Sequence, residues 1–182
     1  GAGIIFGATG GVMEAALRTA YYSLMGENCP PDAFKVVRAQ SQETGLTEAT
    51  FSLNNIDLHI AVVNGLANTR KLIEEINRGE KKYDFVEVMA CPGGCVGGGG
   101  QPIHDGEELA FTRGKNLYFL DKNANIRHSH ENPDIKTLYK NYFGTPNSHK
   151  AHQVLHTDHF AWEMPKSLSR DKDGYIVRER RV

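Results

Sequence analysis

Cysteine is scarce in this chain, with three residues in 182, an odd number that builds no disulfide framework. That scarcity excludes the small disulfide-stapled secreted classes and points to a reducing, cytoplasmic setting. Charge of one sign is also missing. The formal net charge is -1, and no basic tract breaks the balance, which argues against a dedicated nucleic-acid surface. No apolar run approaches the ~20 residues that span a bilayer, and nothing resembles a secretory signal, so no membrane span is expected. An initiating methionine is absent too. The sequence opens Gly1-Ala2-Gly3 inside apolar, glycine-containing sequence, which suggests a fragment or a processed subunit. What remains is 40% apolar, enough to bury the core of one domain or one lobe of a larger one.

The chemistry is concentrated in Val88-Met89-Ala90-Cys91-Pro92-Gly93-Gly94-Cys95-Val96-Gly97-Gly98-Gly99-Gly100-Gln101-Pro102. Two of the three cysteines lie here, four residues apart, among six glycines from Gly93 to Gly100. Thiolates are soft ligands for zinc or iron–sulfur clusters. Glycine lets a backbone turn through positive φ and approach a bulky group without a Cβ in the way. Two thiols do not complete a four-thiolate site, and Cys29 is the only other one. The chain therefore reads as half of a metal site.

Hydrophobic periodicity gives a mixed α/β lobe. Thr9 is a candidate N-cap for a helix that carries Met13, Leu17, Ala20 and Leu24 to Gly26. Cys29-Pro30-Pro31 breaks it, and Phe34–Gln40 is expected as a strand. Thr47–Leu53 and Asp57–Val63 form a hairpin pattern across Asn54-Asn55. Leu66–Arg78 is a predicted helix with Leu72, Ile73 and Ile76 inward and Gly79 past its end. Tyr83–Met89 then supplies a strand that delivers the cysteine loop. Strand–helix–strand order predicts parallel pairing, with the loop at the carboxyl end of the strand, where α/β sheets place ligands. Helical patterns follow at Leu109–Asn123, at Asn132–Phe143 opened by Pro133, and at His149–His156. Trp162–Val182 is charged and poorly periodic, an expected tail or docking arm.

With these motifs in order, the chain resembles the iron-only ([FeFe]) hydrogenases. Met89-Ala90-Cys91-Pro92-Gly93-Gly94-Cys95 with Gly98-Gly99-Gly100-Gln101-Pro102 is similar to that family's third cluster-binding signature. Gly3 to Arg18 matches the segment before it. Arg127-His128-Ser129-His130-Glu131-Asn132, Leu138 to Gly144, and Ala151 to Thr157 resemble the closing helices. The likeness runs over residues 1–157, read as the C-terminal lobe of the catalytic domain, with 158–182 as a charged tail. The resemblance implies one lobe of the hydrogenase fold: a small twisted mixed sheet flanked by helices, with a helical C-terminal part.

The resemblance also implies roles. Cys91 would bind only the [4Fe–4S] cube of an H-cluster, while Cys95 would bridge that cube to a diiron subsite and so carry the catalytic assignment. Met89, Phe6, Gly7 and Val12 would wall the diiron pocket. The reaction would be the interconversion of hydrogen with protons and electrons. The family's other two cysteine signatures are absent from these residues. The missing N-terminal half, in the same chain or a separate subunit, would have to supply them, and this chain alone is expected to be inactive. Ferredoxin or a nicotinamide-linked subunit would be the electron partner.

Other readings stand beside this one. Hydrogenase-like iron–sulfur assembly or carrier proteins keep such cysteines without hydrogen turnover. Cys91 and Cys95 could bind zinc with histidines, six of which crowd His128 to His159. His149, His152, His156 and His159 follow helical spacing, a pattern more common on packing or solvated faces than on metal sites. Gly7-Ala8-Thr9-Gly10-Gly11 before a helix could cradle a phosphate, although no lysine completes a P-loop. Cys29 reads as a lone loop thiol. Asp171-Lys172-Asp173-Gly174 reads as a turn, not a calcium loop.

Overall fold

A computed structural model describes residues 1–38 and 45–156, with two short strand pieces, Ser169–Arg170 and Ile176–Val177. The remainder of the Trp162–Val182 tail, its Asp171 to Gly174 turn, and His159 lie outside the described residues. Two compact units result, Gly1–Lys136 and Thr137–Val182.

The first unit is mixed α/β. Strand β1 (Leu46–Leu53) pairs antiparallel with β2 (Ile56–Asn64). Asn54 and Asn55 connect them at φ 49° and 62°. Two successive left-handed residues make the turn whose twist suits a hairpin, and asparagine tolerates that conformation best after glycine. Helix α2 (Leu66–Asn77) crosses over to β3 (Phe85–Met89), which lies parallel to β2 from Ile60↔Phe85 to Asn64↔Met89. Gly79 takes φ 75° just beyond the helix, as expected of a left-handed stop. The order β1-β2-β3 places β2 in the centre.

That position explains why Ile60-Ala61-Val62-Val63 is apolar without alternation. Ile60 and Val62 pack with Met13 and Leu17 of α1 (Gly11–Met25) on one face. Ala61 and Val63 pack with Leu72 of α2 on the other. Both faces of a crossover strand are covered, so both must be apolar.

Three local expectations are overturned. Phe34–Gln40 is not a strand as far as it is described: Lys35–Val37 is a 3-10 turn. Phe34 and Val37, three residues apart, both enter the core beside Met13, and that spacing suits one helical turn, not alternation. Ile73 is 50% exposed, whereas Leu72 is buried and Ile76 partly so. Positions 72 and 76 share a helical face, and 73 lies off it.

Thr9 does not cap α1. Gly10 holds the N-cap position at φ 85°, and a Cβ there would stand 1.9 Å from the Val37 carbonyl oxygen. The cap comes from Glu87 on β3. Its Oε1 accepts from Gly10 N–H and its Oε2 from Met13 N–H, both at 2.6 Å. Burial pushes the Glu87 carboxyl above its ordinary range, and these two bonds draw it back in part. The phosphate-cradle reading is thereby answered, because an internal carboxylate already fills the anion site at this helix start. Glu87→Gln retains one acceptor and turns an amide donor toward the other N–H. It is expected to lower stability by about 1–3 kcal/mol, read as a shift in the urea midpoint.

A buried ionic network fastens the other side of α1. Arg18 Nη1 and Nη2 donate to both Asp121 oxygens at 2.9 and 2.8 Å, and Nη2 also reaches Glu14 Oε1 at 2.7 Å. Asp121 lies on α3 (Ala110–Lys122), so the pair joins two helices. Arg38 binds Glu14 and Arg127 binds Asp121 from the rim.

Beyond residue 132 the expected helix is present in two parts. Helix α4 (Pro133–Leu138) opens with Asn132 Oδ1 accepting from Asp134 N–H, then widens into a π-helical stretch, Tyr139–Phe143. The second unit buries Phe143 against Tyr139 and Tyr142. It continues in α5 (His149–Leu155), capped by Ser148. Of the histidine stripe, His152 and His156 stack ring on ring with centroids 4.7 Å apart. No described helix is long and apolar enough to cross a membrane.

Candidate functional site

The cysteine loop leaves the carboxyl end of β3, where parallel pairing was expected to place it. Five hydrogen bonds seat its backbone. Thr9 N–H donates to the Gly93 carbonyl at 3.1 Å, and Gly93 N–H reaches Asn64 Oδ1 at 3.4 Å. Arg113 of α3 donates to the Val96 and Pro102 carbonyls at 3.1 and 2.7 Å, while the Gln101 side chain donates to the Cys95 carbonyl at 3.1 Å. A loop with few side chains is thus held through its backbone, by polar groups from outside it and by its own Gln101.

Glycine is required at specific points. Gly94 has φ 94°, and a Cβ there would lie 2.7 Å from both Gly7 O and Thr9 N. At Gly97 a Cβ would meet Pro92 O at 2.4 Å, and at Gly98 it would come within 3.6 Å of Cys91 Sγ. At Gly94 and Gly97 the chain passes this close to itself only because those positions carry no side chain, whereas the contact at Gly98 is of ordinary van der Waals length.

All three cysteines are free. Cys91 is half-buried and Cys95 exposed, at the start of the 3-10 turn Cys95–Gly97. Of the expected wall residues, Gly7 adjoins the loop directly, through the close approach of Gly94 to its carbonyl. Phe6, 45% exposed, precedes it. Half-buried Met89 ends β3 two residues before Cys91, its carbonyl accepting from Gly65 N–H at 2.9 Å. Val12, also half-buried, sits in the first turn of α1, which Glu87 ties to the same strand. The fold therefore gathers the segments carrying Phe6, Gly7, Val12, Met89, Cys91 and Cys95 around one end of β3.

The donor chemistry fits a share of an iron–sulfur group. Two free thiols stand on a turn with backbone room beside Cys91 Sγ, and the Thr9 hydroxyl, on the segment beneath, is enclosed without a hydrogen-bond partner. A cubane takes four thiolates. Cys29 is not a third: it packs against the core with Met13 and Leu17, and burial pushes its thiol up. Among the described residues neither loop cysteine joins a group of three or more potential ligands, so the zinc reading with histidines is not supported there.

Sequence reasoning missed the supports of this loop. Glu87 had a signal, a lone charge between Val86 and Val88 in an apolar strand. Gln101 stood within the signature run, while Asn64 and Arg113 had no signal, because their partners are backbone groups that only the folded path brings near.

Such an arrangement defines an α/β lobe that presents two free thiols on a glycine loop. The chain belongs to the iron-only hydrogenase family: residues 1–99 match the iron only hydrogenase large subunit, C-terminal domain. Residues 107–162 match the iron hydrogenase small subunit. The NADP-reducing hydrogenase subunit HndD of Solidesulfovibrio fructosivorans is 47% identical over 161 residues, covering 88% of this chain and 27% of the relative. The cytosolic Fe-S cluster assembly factor narfl of Xenopus tropicalis is 32% identical over 160 residues, covering 86% and 32%. The [FeFe]-hydrogenase HydA1 from Chlamydomonas reinhardtii superposes with a TM-score of 0.64 at 41% identity, over 84% of this chain and 44% of that one. The chain thus spans about a quarter to a third of the length of these curated relatives.

Proposed function

We propose that this chain supplies one side of an H-cluster in an iron-only hydrogenase, and that the remaining cluster ligands come from polypeptide beyond these residues. The observation that carries this reading is the pair of free thiols, Cys91 and Cys95, on a glycine loop pinned to the Gly7–Thr9 segment. When bound, the cluster supplies the electron and hydride chemistry that interconverts hydrogen with protons and electrons.

The chain's own residues would do three things. Cys91 would hold the cube, and Cys95, the more exposed thiol, would hold the cube and the diiron subsite together. Phe6, Gly7, Val12 and the soft thioether of Met89 would wall the subsite and exclude water. The hydrogen bonds from Gln101 and Arg113 to loop carbonyls would fix the spacing of the two sulfurs. No residue here is assigned general-acid work. Residues 1–157 would act as this lobe and 158–182 as an appended tail.

The relative described as an NADP-reducing hydrogenase subunit supports an electron partner that is nicotinamide-linked, or a ferredoxin. A cytoplasmic setting suits three unpaired thiols. The assembly-factor relative, 32% identical over a similar span, favours a second reading in which iron is bound without hydrogen turnover. Hydrogen evolution from a reduced viologen, measured without oxygen on the complete polypeptide or complex containing this chain, separates them. Turnover with bound iron supports the hydrogenase. Bound iron with no turnover transfers the chain to the assembly class, and absence of iron overturns both. The 182-residue chain alone is expected to show no turnover.

A further inference from the structure

We infer that His128, His130 and Glu131 form a second metal site, for a divalent first-row transition ion such as zinc, separate from the cysteine loop. One nitrogen from each imidazole and one Glu131 oxygen lie within 4.8 Å of one another. His128 Nδ1 and Glu131 Oε2 are 2.9 Å apart. Donors that share an ion at 2.0–2.2 Å stand roughly 3 to 3.5 Å from each other, so the His128–Glu131 pair is already near that separation and a small side-chain rotation would bring the third donor in.

The surroundings orient the donors toward that use. Asn28 spans two of them: its Oδ1 accepts from His130 Nε2 at 2.8 Å, and its Nδ2 donates to Glu131 Oε1 at 2.7 Å. With Nε2–H committed to Asn28, the unprotonated nitrogen of His130 is Nδ1, whose partner is the Thr19 hydroxyl at a long 3.3 Å. Tyr22 stacks on the same ring, with centroids 4.1 Å apart and planes 13° from parallel, which fixes its tilt. A carbonyl hydrogen-bonded to the far nitrogen and a packed ring are the usual means of aiming a ligand histidine. Two imidazoles and one carboxylate leave a fourth position open for water, a set that zinc accepts.

The site is distant from the cysteine loop. Thr19 and Tyr22 lie toward the C-terminal end of α1, whereas the cysteine loop serves its N-terminus. Gly10 and Thr19 are nine residues apart, about 14 Å along a helix. The inference does not depend on the hydrogenase reading.

Cobalt(II) is the probe, because its visible bands report both geometry and donor type. Anaerobic titration of the 182-residue chain should give d–d bands saturating near one equivalent and removable by zinc, and these should persist when Cys91 and Cys95 are both replaced by serine. Glu131→Gln and Asn28→Ala, both at exposed side chains, should each weaken binding by about ten- to a hundredfold while circular dichroism stays unchanged. Absence of bands in the serine variant, or unchanged affinity in Glu131→Gln, would overturn the site.

Discussion

Cys95→Ser in the complete protein is expected to reduce hydrogen turnover to background while leaving the fold intact. Cys95 is exposed and free, so its sulfur supports no core packing. The supports of the loop are backbone carbonyls, Gly93, Val96 and Pro102 among them, and a serine leaves every one in place. A hydroxyl is a hard, weakly acidic donor and a poor bridge between irons. Infrared bands of the carbon monoxide and cyanide that the family resemblance assigns to the diiron subsite should vanish, with circular dichroism and the urea midpoint unchanged. Normal infrared intensity in this variant would remove Cys95 from the bridging role. Cys91→Ser should lower cube iron, since that residue is proposed to hold only the cube.

The second large effect lies far from the thiols. Asp121→Asn is expected to destabilise the fold by about 3–5 kcal/mol, because Arg18 then remains buried with half its compensation removed. The side chains of Arg18 and Asp121 are 3% and 1% exposed, and the two guanidinium bonds are short and parallel. Burial alone would raise the Asp121 carboxyl, but the bonds from Arg18 and Arg127 outweigh it and hold the group below its usual range. A carboxyl depressed in the folded state contributes stability above its unfolded pKa of about 3.9 and loses it as pH falls through the folded value. The native protein should therefore shed this contribution below about pH 4, and the asparagine variant should show a flatter acid limb. Denaturant midpoints at several pH values check both the size and the sign.

The elements that could be read from sequence are those whose pattern is local. Asn54-Asn55 between two strand-like runs marked the hairpin, and an apolar strand after a 12-residue helix marked the parallel crossover. The cysteine loop announced itself by composition. Phe34–Gln40 misled because a short run holding Phe34, Val36 and Val37 looks strand-like by composition, whereas burial of Phe34 and Val37 together beside Met13 follows the spacing of a helical turn. Thr9 misled because capping propensity is indifferent to what lies 77 residues further on, and the Glu87 carboxylate reaches Gly10 from there. The Arg18–Asp121 pair, 103 residues apart, was equally hidden, since charge periodicity carries no information across such a distance.

Glu87 has one more implication. It precedes Cys91 by four residues on the continuous path from β3 into the loop, and it also grips the first turn of α1. Helix and thiols are thereby coupled like two arms of a lever sharing one pivot. A change at Glu87 would therefore be felt at both ends of that lever, at the opening turn of the helix and at the root of the cysteine loop.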